Sequence, residues 1–179
     1  GKTLKYWAEI KGLNPTVENG ADLVIEAQLK GGASCVFFAM DEKDVENIMK
    51  HPQTMIASDG RLVKPGDGHP HPRWYGTFPR VLGHYVRKKN TLSLSEAIYK
   101  MTLLPAKTIG LNDRGLIKEG MTADITIFNP ETIIDKATFD KPHQYSVGIH
   151  YVMVNGKLAI DDKKFMNIKA GKVLRFNNK

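Results

Sequence analysis

One cysteine, Cys35, is all that 179 residues offer. That excludes an internal disulfide and fits a reducing, cytoplasmic setting. It sits in an apolar run over 34–40, where a buried structural thiol is expected. Long apolar runs are also missing. Nothing approaches the roughly 20 residues of a membrane span, and no signal-like segment follows the first residues, so no membrane partner is expected. The chain opens on Gly1 rather than methionine, which leaves the targeting of a longer parent open. Nine prolines and 16 glycines supply many turns but no low-complexity tract. A stacking platform for nucleic acid is absent as well. Basic residues cluster at Arg87-Lys88-Lys89 and Lys163-Lys164 and otherwise scatter among acids, without interleaved aromatics. The net charge of +7 therefore carries no nucleic-acid partner.

What is present reads as α/β. Apolar spacing predicts a helix over 16–30, stopped by Gly31-Gly32. A short buried strand is expected over 34–40, then a helix over 42–50 capped by Asp41, then a second strand over 54–58. That alternation is the pattern of a parallel sheet with right-handed crossovers. After a loop rich in Gly, Pro, His and Arg, helices are expected over 80–88 and 93–109. Beyond Gly115 the pattern changes to short alternating runs at 123–128, 151–154 and 172–175, with Asn155-Gly156 as a hairpin turn. The organisation expected is 1–114 and 115–179. A (β/α)₈ barrel takes about 250 residues, and two parallel strands cannot close one. Either this is a small open α/β domain with a β appendage, or it is the C-terminal part of a longer enzyme.

The most informative stretch is Ser58-Asp59-Gly60 followed by His69-Pro70-His71-Pro72-Arg73. An acid at the end of a buried strand, with basic groups just after it, is how an α/β barrel places catalytic groups at its mouth. Further segments follow in order: Gly76-Thr77-Phe78-Pro79-Arg80-Val81-Leu82-Gly83, Leu104-Pro105-Ala106, Gly110-Leu111-Asn112-Asp113-Arg114-Gly115, Pro142-His143-Gln144-Tyr145 and Val154-Asn155-Gly156. Taken together they resemble the C-terminal third of the N-acyl-D-amino-acid deacylases, the D-aminoacylase-like zinc enzymes of the amidohydrolase superfamily.

The resemblance implies the last strands and helices of a TIM-like barrel, followed by part of a small β-sandwich. It implies zinc, with Asp59 both this chain's contribution to the metal and the carboxylate that takes a proton from metal-activated water and returns one to the leaving amine. Arg73 would fork onto the substrate's α-carboxylate, with Ser58 beside it. The substrate implied is a small N-acyl-D-amino acid, and the remaining metal ligands have no counterpart in these residues. His69 and His71 are read as loop-shaping groups, and His51, His84, His143 and His150 as structural. Gln144 and Tyr145 are expected to tie the β segment to the barrel. Strands with open edges would leave Val36, Phe37, Phe38 and Ile56 to be covered by a second copy or by the missing N-terminal part. Two alternatives stand beside this reading. One is a dihydroorotase- or hydantoinase-like cyclic amidase. The other is a non-catalytic binding module in which Asp59 and Arg73 form a structural ion pair.

Overall fold

The computed structural model describes residues 2–33 and 35–175. They fall into two compact units, one running to Ala39 and the other beginning at Met40.

The first unit holds α1 (Leu4–Ile10) and α2 (Val17–Leu29). Each starts on a threonine whose hydroxyl accepts a backbone N–H, Thr3 from Tyr6 and Thr16 from Asn19. The end of α2 is as the sequence requires. Gly31 and Gly32 take φ of +105° and +82°, and the Gly32 N–H returns to the Ala27 carbonyl at 2.9 Å. Ala8 and Leu23 are buried where the two helices meet. Glu26 accepts from Lys11 and from Lys30, the latter at 2.6 Å. These two ammonium groups hold its carboxyl down at about 2. Helix α1 is not among the elements expected from the sequence.

The second unit opens with α3 (Glu42–Lys50), capped by the Asp41 carboxylate on the Lys43 N–H. A helix absent from the sequence reading follows the loop: α4 (Arg73–Arg80), which runs directly into a π-helical segment, Val81–Lys88. The change of pitch follows Pro79, which has no N–H to give the Tyr75 carbonyl. That carbonyl accepts from the Ser146 hydroxyl at 3.1 Å instead. The expected helix over 93–109 is two, α5 (Leu94–Met101) and α6 (Leu103–Thr108), broken at Thr102 with φ −129° and ψ −82°. Pro105 cannot donate to Met101, so the chain restarts with proline in a first turn, where no donor is needed. A complete capping box between Ser93 and Glu96 begins α5.

The β part is one four-stranded antiparallel sheet, in order β1 (Ile125–Phe128), β2 (Ile149–Val154), β3 (Lys157–Asp161), β4 (Lys164–Phe165). Asn155 and Gly156 turn β2 into β3 with φ of +47° and +75°, the twist that suits a tight hairpin. The expected strand over 172–175 does not form. The sheet instead continues from β2 into β3 and β4.

The strands expected over 34–40 and 54–58 are not paired among the described residues, and Ser34 lies outside them. A parallel strand exists only with neighbours on its edges, and none is supplied here. Phe37 and Met40 each stand 84% exposed. Cys35, expected to be buried, is exposed as well. The fold is thus α/β in composition with a small antiparallel sheet. Its main core joins Met49, Val81, Leu82, Tyr85, Leu92, Ala97 and Ile133, with Ile56, Phe128 and Ile149 packed against it.

Candidate functional site

Ser58, Asp59 and Gly60 follow a segment anchored by Ile56, whose side chain meets the core. The Ser58 hydroxyl accepts the Gly60 N–H at 3.2 Å, and this turn leaves Asp59 in the left-handed region at φ +44°. Asp and Asn are the non-glycine residues that tolerate that region. A Cβ on Gly60 would stand 3.3 Å from the Trp74 Cα, so glycine lets the turn approach the start of α4.

Arg73 is the first residue of α4. Pro72 before it makes no side-chain cap. The Nδ1 of His71 accepts the Arg73 N–H at 3.1 Å and serves in its place. From there the guanidinium reaches back. Its Nη2 donates to Asp59 Oδ2 at 2.6 Å and its Nε to the Asp59 carbonyl at 3.3 Å. The structure therefore brings together Ser58, Asp59 and Arg73, the three residues singled out in the sequence. They lie in the open: the Asp59 side chain is 84% exposed and that of Arg73 44%.

The histidines do not assemble around them. His69 Nε2 meets the Phe139 carbonyl, and the His71 ring packs edge-on to Phe139 at 5.1 Å. Burial, and then the charge of Arg73, push the His71 imidazolium below its usual range. His143 closes the same loop. Its Nδ1 accepts from the Tyr75 hydroxyl at 2.9 Å and the Gly66 N–H at 3.3 Å, while Nε2 donates to the Gly68 carbonyl at 3.1 Å. Tyr145 meets Tyr75 of α4 edge-on at 5.7 Å. The Gln144 amide donates within its own segment, to the carbonyls of Lys136 and Lys141, each at 2.8 Å. His84 faces Glu42 and His150 faces Asp162, both as supports.

Among the described residues no three His, Cys, Asp or Glu side chains converge as a metal site. The donors present do not by themselves fit a zinc ion. Asp59 offers one carboxylate, and a cation already holds it. Among the described residues two buried polar side chains were not singled out in the sequence, Thr91 and the more deeply buried Lys100, 4% exposed. Its place next to Met101 and three residues after Ala97, on the apolar stripe of α5, was the available signal.

The fold has counterparts among known proteins. An N-acyl-D-glutamate deacylase of Alcaligenes xylosoxydans xylosoxydans is 44% identical over 156 residues, covering 87% of this chain and 31% of that enzyme. A solved D-aminoacylase, studied for its binuclear metal center, superposes with a TM-score of 0.84 at 42% identity over 97% of this chain and 34% of its own. The N-acyl-D-glutamate deacylase of Bordetella bronchiseptica, complexed with zinc and a phosphonate that mimics the tetrahedral intermediate, gives 0.75 at 40% identity over 89% of this chain and 31% of its own. Dihydroorotases align over shorter stretches, 44% of the chain at 30% identity for that of Acetivibrio thermocellus. The chain spans about a third of the length of the relatives it matches. The family model for the amidohydrolases matches residues 19–160, and the chain belongs to the amidohydrolase family.

Proposed function

We propose that this chain is the C-terminal part of a zinc-dependent deacylase that hydrolyses the amide of N-acyl-D-amino acids. Residues 1–114 would then be the closing portion of a TIM-like barrel and 115–179 part of a small β-sandwich. The observation that carries the reading is the meeting of Asp59 and Arg73, 14 residues apart in sequence, in an ion pair of 2.6 Å on an exposed edge. One of these groups can carry a proton, and the other can fork onto a carboxylate. A pair this exposed is worth about 0–1 kcal/mol, so a substrate carboxylate can replace Asp59 on the guanidinium at small cost. That exchange leaves the Asp59 oxygens free to take a proton from the attacking water and pass one to the departing amine. Ser58, beside them, is placed to touch the bound substrate.

Asp59 would be this chain's contribution to the zinc, and the remaining ligands would come from outside it, since the residues here do not by themselves form a site. The partners are a small N-acyl amino acid and the rest of the barrel, or a second copy, over the apolar segment at Val36 and Phe37. A cytoplasmic setting is supported by the single cysteine. The dihydroorotase matches are the weaker ones, which disfavours the cyclic amidase.

The test is amine release by the full-length protein from N-acetyl-D-amino acids, their L enantiomers, dihydroorotate and hydantoin. Turnover confined to the D series is expected. Turnover of the cyclic amides alone would overturn the deacylase reading, and turnover of nothing would favour the binding module.

A further inference from the structure

Lys100 ends in the interior of the second unit, 4% exposed. A buried ammonium demands partners, and here they are main-chain oxygens. Nζ donates to the carbonyl of His51 and, at 3.2 Å, to that of Thr54. His51 is the residue on which α3 ends, so the cation stands at the negative end of that helix. The His51 carbonyl also accepts the Thr54 N–H at 3.0 Å, and the ammonium therefore grips both ends of one turn. The main chain of Lys100 makes a third link, its carbonyl accepting the Ile56 N–H at 3.0 Å. That carbonyl lies in the last turn of α5, where helical partners run out, and the break at Thr102 leaves it open to a donor from elsewhere. The nearest acid along the helix, Glu96, is engaged with Ser93.

One residue thus fastens 51–56 at three points, and the fastened segment leads straight into Ser58 and Asp59. We infer that Lys100 is a positioning residue: it fixes the height and direction from which Asp59 leaves the core. The inference rests on the deacylase reading for what Asp59 does, but not for the clamp itself. Without the ammonium, two carbonyls lose a donor, the turn is released, and the Asp59 carboxylate wanders from its working position.

The test uses Lys100→Met, which keeps most of the buried stem, and Lys100→Arg, which keeps charged donors. In the full-length protein, Lys100→Met is expected to lower kcat roughly 10–100-fold, the cost of a misplaced group, with KM within about twofold. Counting sites with a phosphonate analogue of the substrate removes any loss of folded enzyme from that figure. In an Asp59→Asn background the same change should cost less than about twofold, because both act on one step. Lys100→Arg should restore most of the rate. Fully multiplicative losses, or an equal rise in KM, would overturn the inference. A readout free of activity accompanies these measurements: in Lys100→Met the Ile56 amide should exchange at least about tenfold faster than in the wild type, while Leu82 and Tyr85 keep their protection. Unchanged exchange at Ile56 overturns the clamp. If the wild type turns over no N-acyl-D-amino acid, the deacylase reading fails and the exchange at Ile56 still decides the clamp. Should Lys100→Met not fold, Lys100→Gln, shorter and uncharged, carries the same comparison.

Discussion

Arg73 holds Asp59 at two points, the carboxylate oxygen at 2.6 Å and the main-chain carbonyl at 3.3 Å. The second contact ties the guanidinium to the main chain as well as to the side chain. It fixes the guanidinium on a residue already turned to φ +44°, so the carboxylate and the cation share one orientation. His71 extends this arrangement by accepting the Arg73 N–H at 3.1 Å. The start of α4 is therefore set by the same loop that brings the arginine to the acid.

Because both side chains are open to water, the pair should add little to folding. Asp59→Asn and Arg73→Lys are each expected to leave unfolding free energy within about 1 kcal/mol of wild type, measured by denaturant titration. A loss several times larger would make the pair a structural element and favour the non-catalytic module.

Where local chemistry decides, the sequence was readable. Thr16 and Gly31-Gly32 bracket α2, Asp41 starts α3, Ser93 and Glu96 form a capping box, and Asn155-Gly156 makes the hairpin. Ser58, Asp59 and Arg73 were also legible as a group, because an acid in a turn and an arginine shortly after it are local signals. Features that depend on partners were not. The segments at 34–40 and 54–58 have the composition of buried strands, but composition cannot supply the neighbouring strand that pairs them. Helix α4 was hidden by its Gly76 and Pro79. Its proline is tolerated because Ser146, 71 residues away, takes over the carbonyl that Pro79 leaves unmet. For Lys100 the burial was legible from its place on the apolar stripe of α5 but the partners were not, since its acceptors lie 49 and 46 residues upstream.

Glu26 gives a pH prediction for the first unit. Its carboxyl ordinarily titrates near 4.5, and the hydrogen bonds from Lys11 and then Lys30 hold it at about 2. A depressed carboxyl favours the folded state above its unfolded value and loses that contribution as pH falls through the folded one. The packing of α1 on α2 should therefore weaken between about pH 4.5 and 2, with little change above that window. Lys11→Met should move the Glu26 midpoint upward in a ¹³C-detected titration. An unmoved midpoint would show that Lys11 is not its main partner.

Gly83 sits where the π-helical segment presses on 133–134. An added Cβ would meet the Ile133 carbonyl oxygen and stand 3.0 Å from the Ile134 Cα. These are backbone atoms, and Arg87 holds the same strip by donating to the carbonyls of Pro130 at 2.7 Å and Ile133 at 2.8 Å. Gly83→Ala should cost roughly 1–3 kcal/mol, as overpacking does. Gly171→Ala, with nothing within 4 Å of its Cβ, should be near neutral, and equal costs would refute the close approach.

Metal content tests whether this chain is a self-sufficient enzyme. A zinc site takes three or four protein ligands, and the described residues gather no such group. Equilibrium dialysis of the 179-residue chain should find zinc well below one equivalent at micromolar free metal. Stoichiometric, tightly held zinc would mean that His69 and His71 turn from Phe139 to bind it, and the loop assignment would be wrong.

The roles proposed for Asp59 and Arg73 can be tested separately in the full-length protein. Asp59→Asn keeps size and most hydrogen bonding while removing the proton acceptor, so kcat should fall roughly 10²–10⁴-fold with substrate still bound. Arg73→Lys keeps the charge but loses the two-pronged geometry. It should act chiefly on kcat/KM, by about 1.5–3 kcal/mol for a charged hydrogen bond. An N-acyl-D-amino acid amide offers the fork no anion, so the Arg73→Lys penalty should nearly vanish on that substrate. Equal penalties on acid and amide would mean that Arg73 acts through the loop, by holding Asp59 and the first turn of α4. Near wild-type turnover by Asp59→Asn would leave the proton without a carrier in this chain and would remove Asp59 from the chemistry.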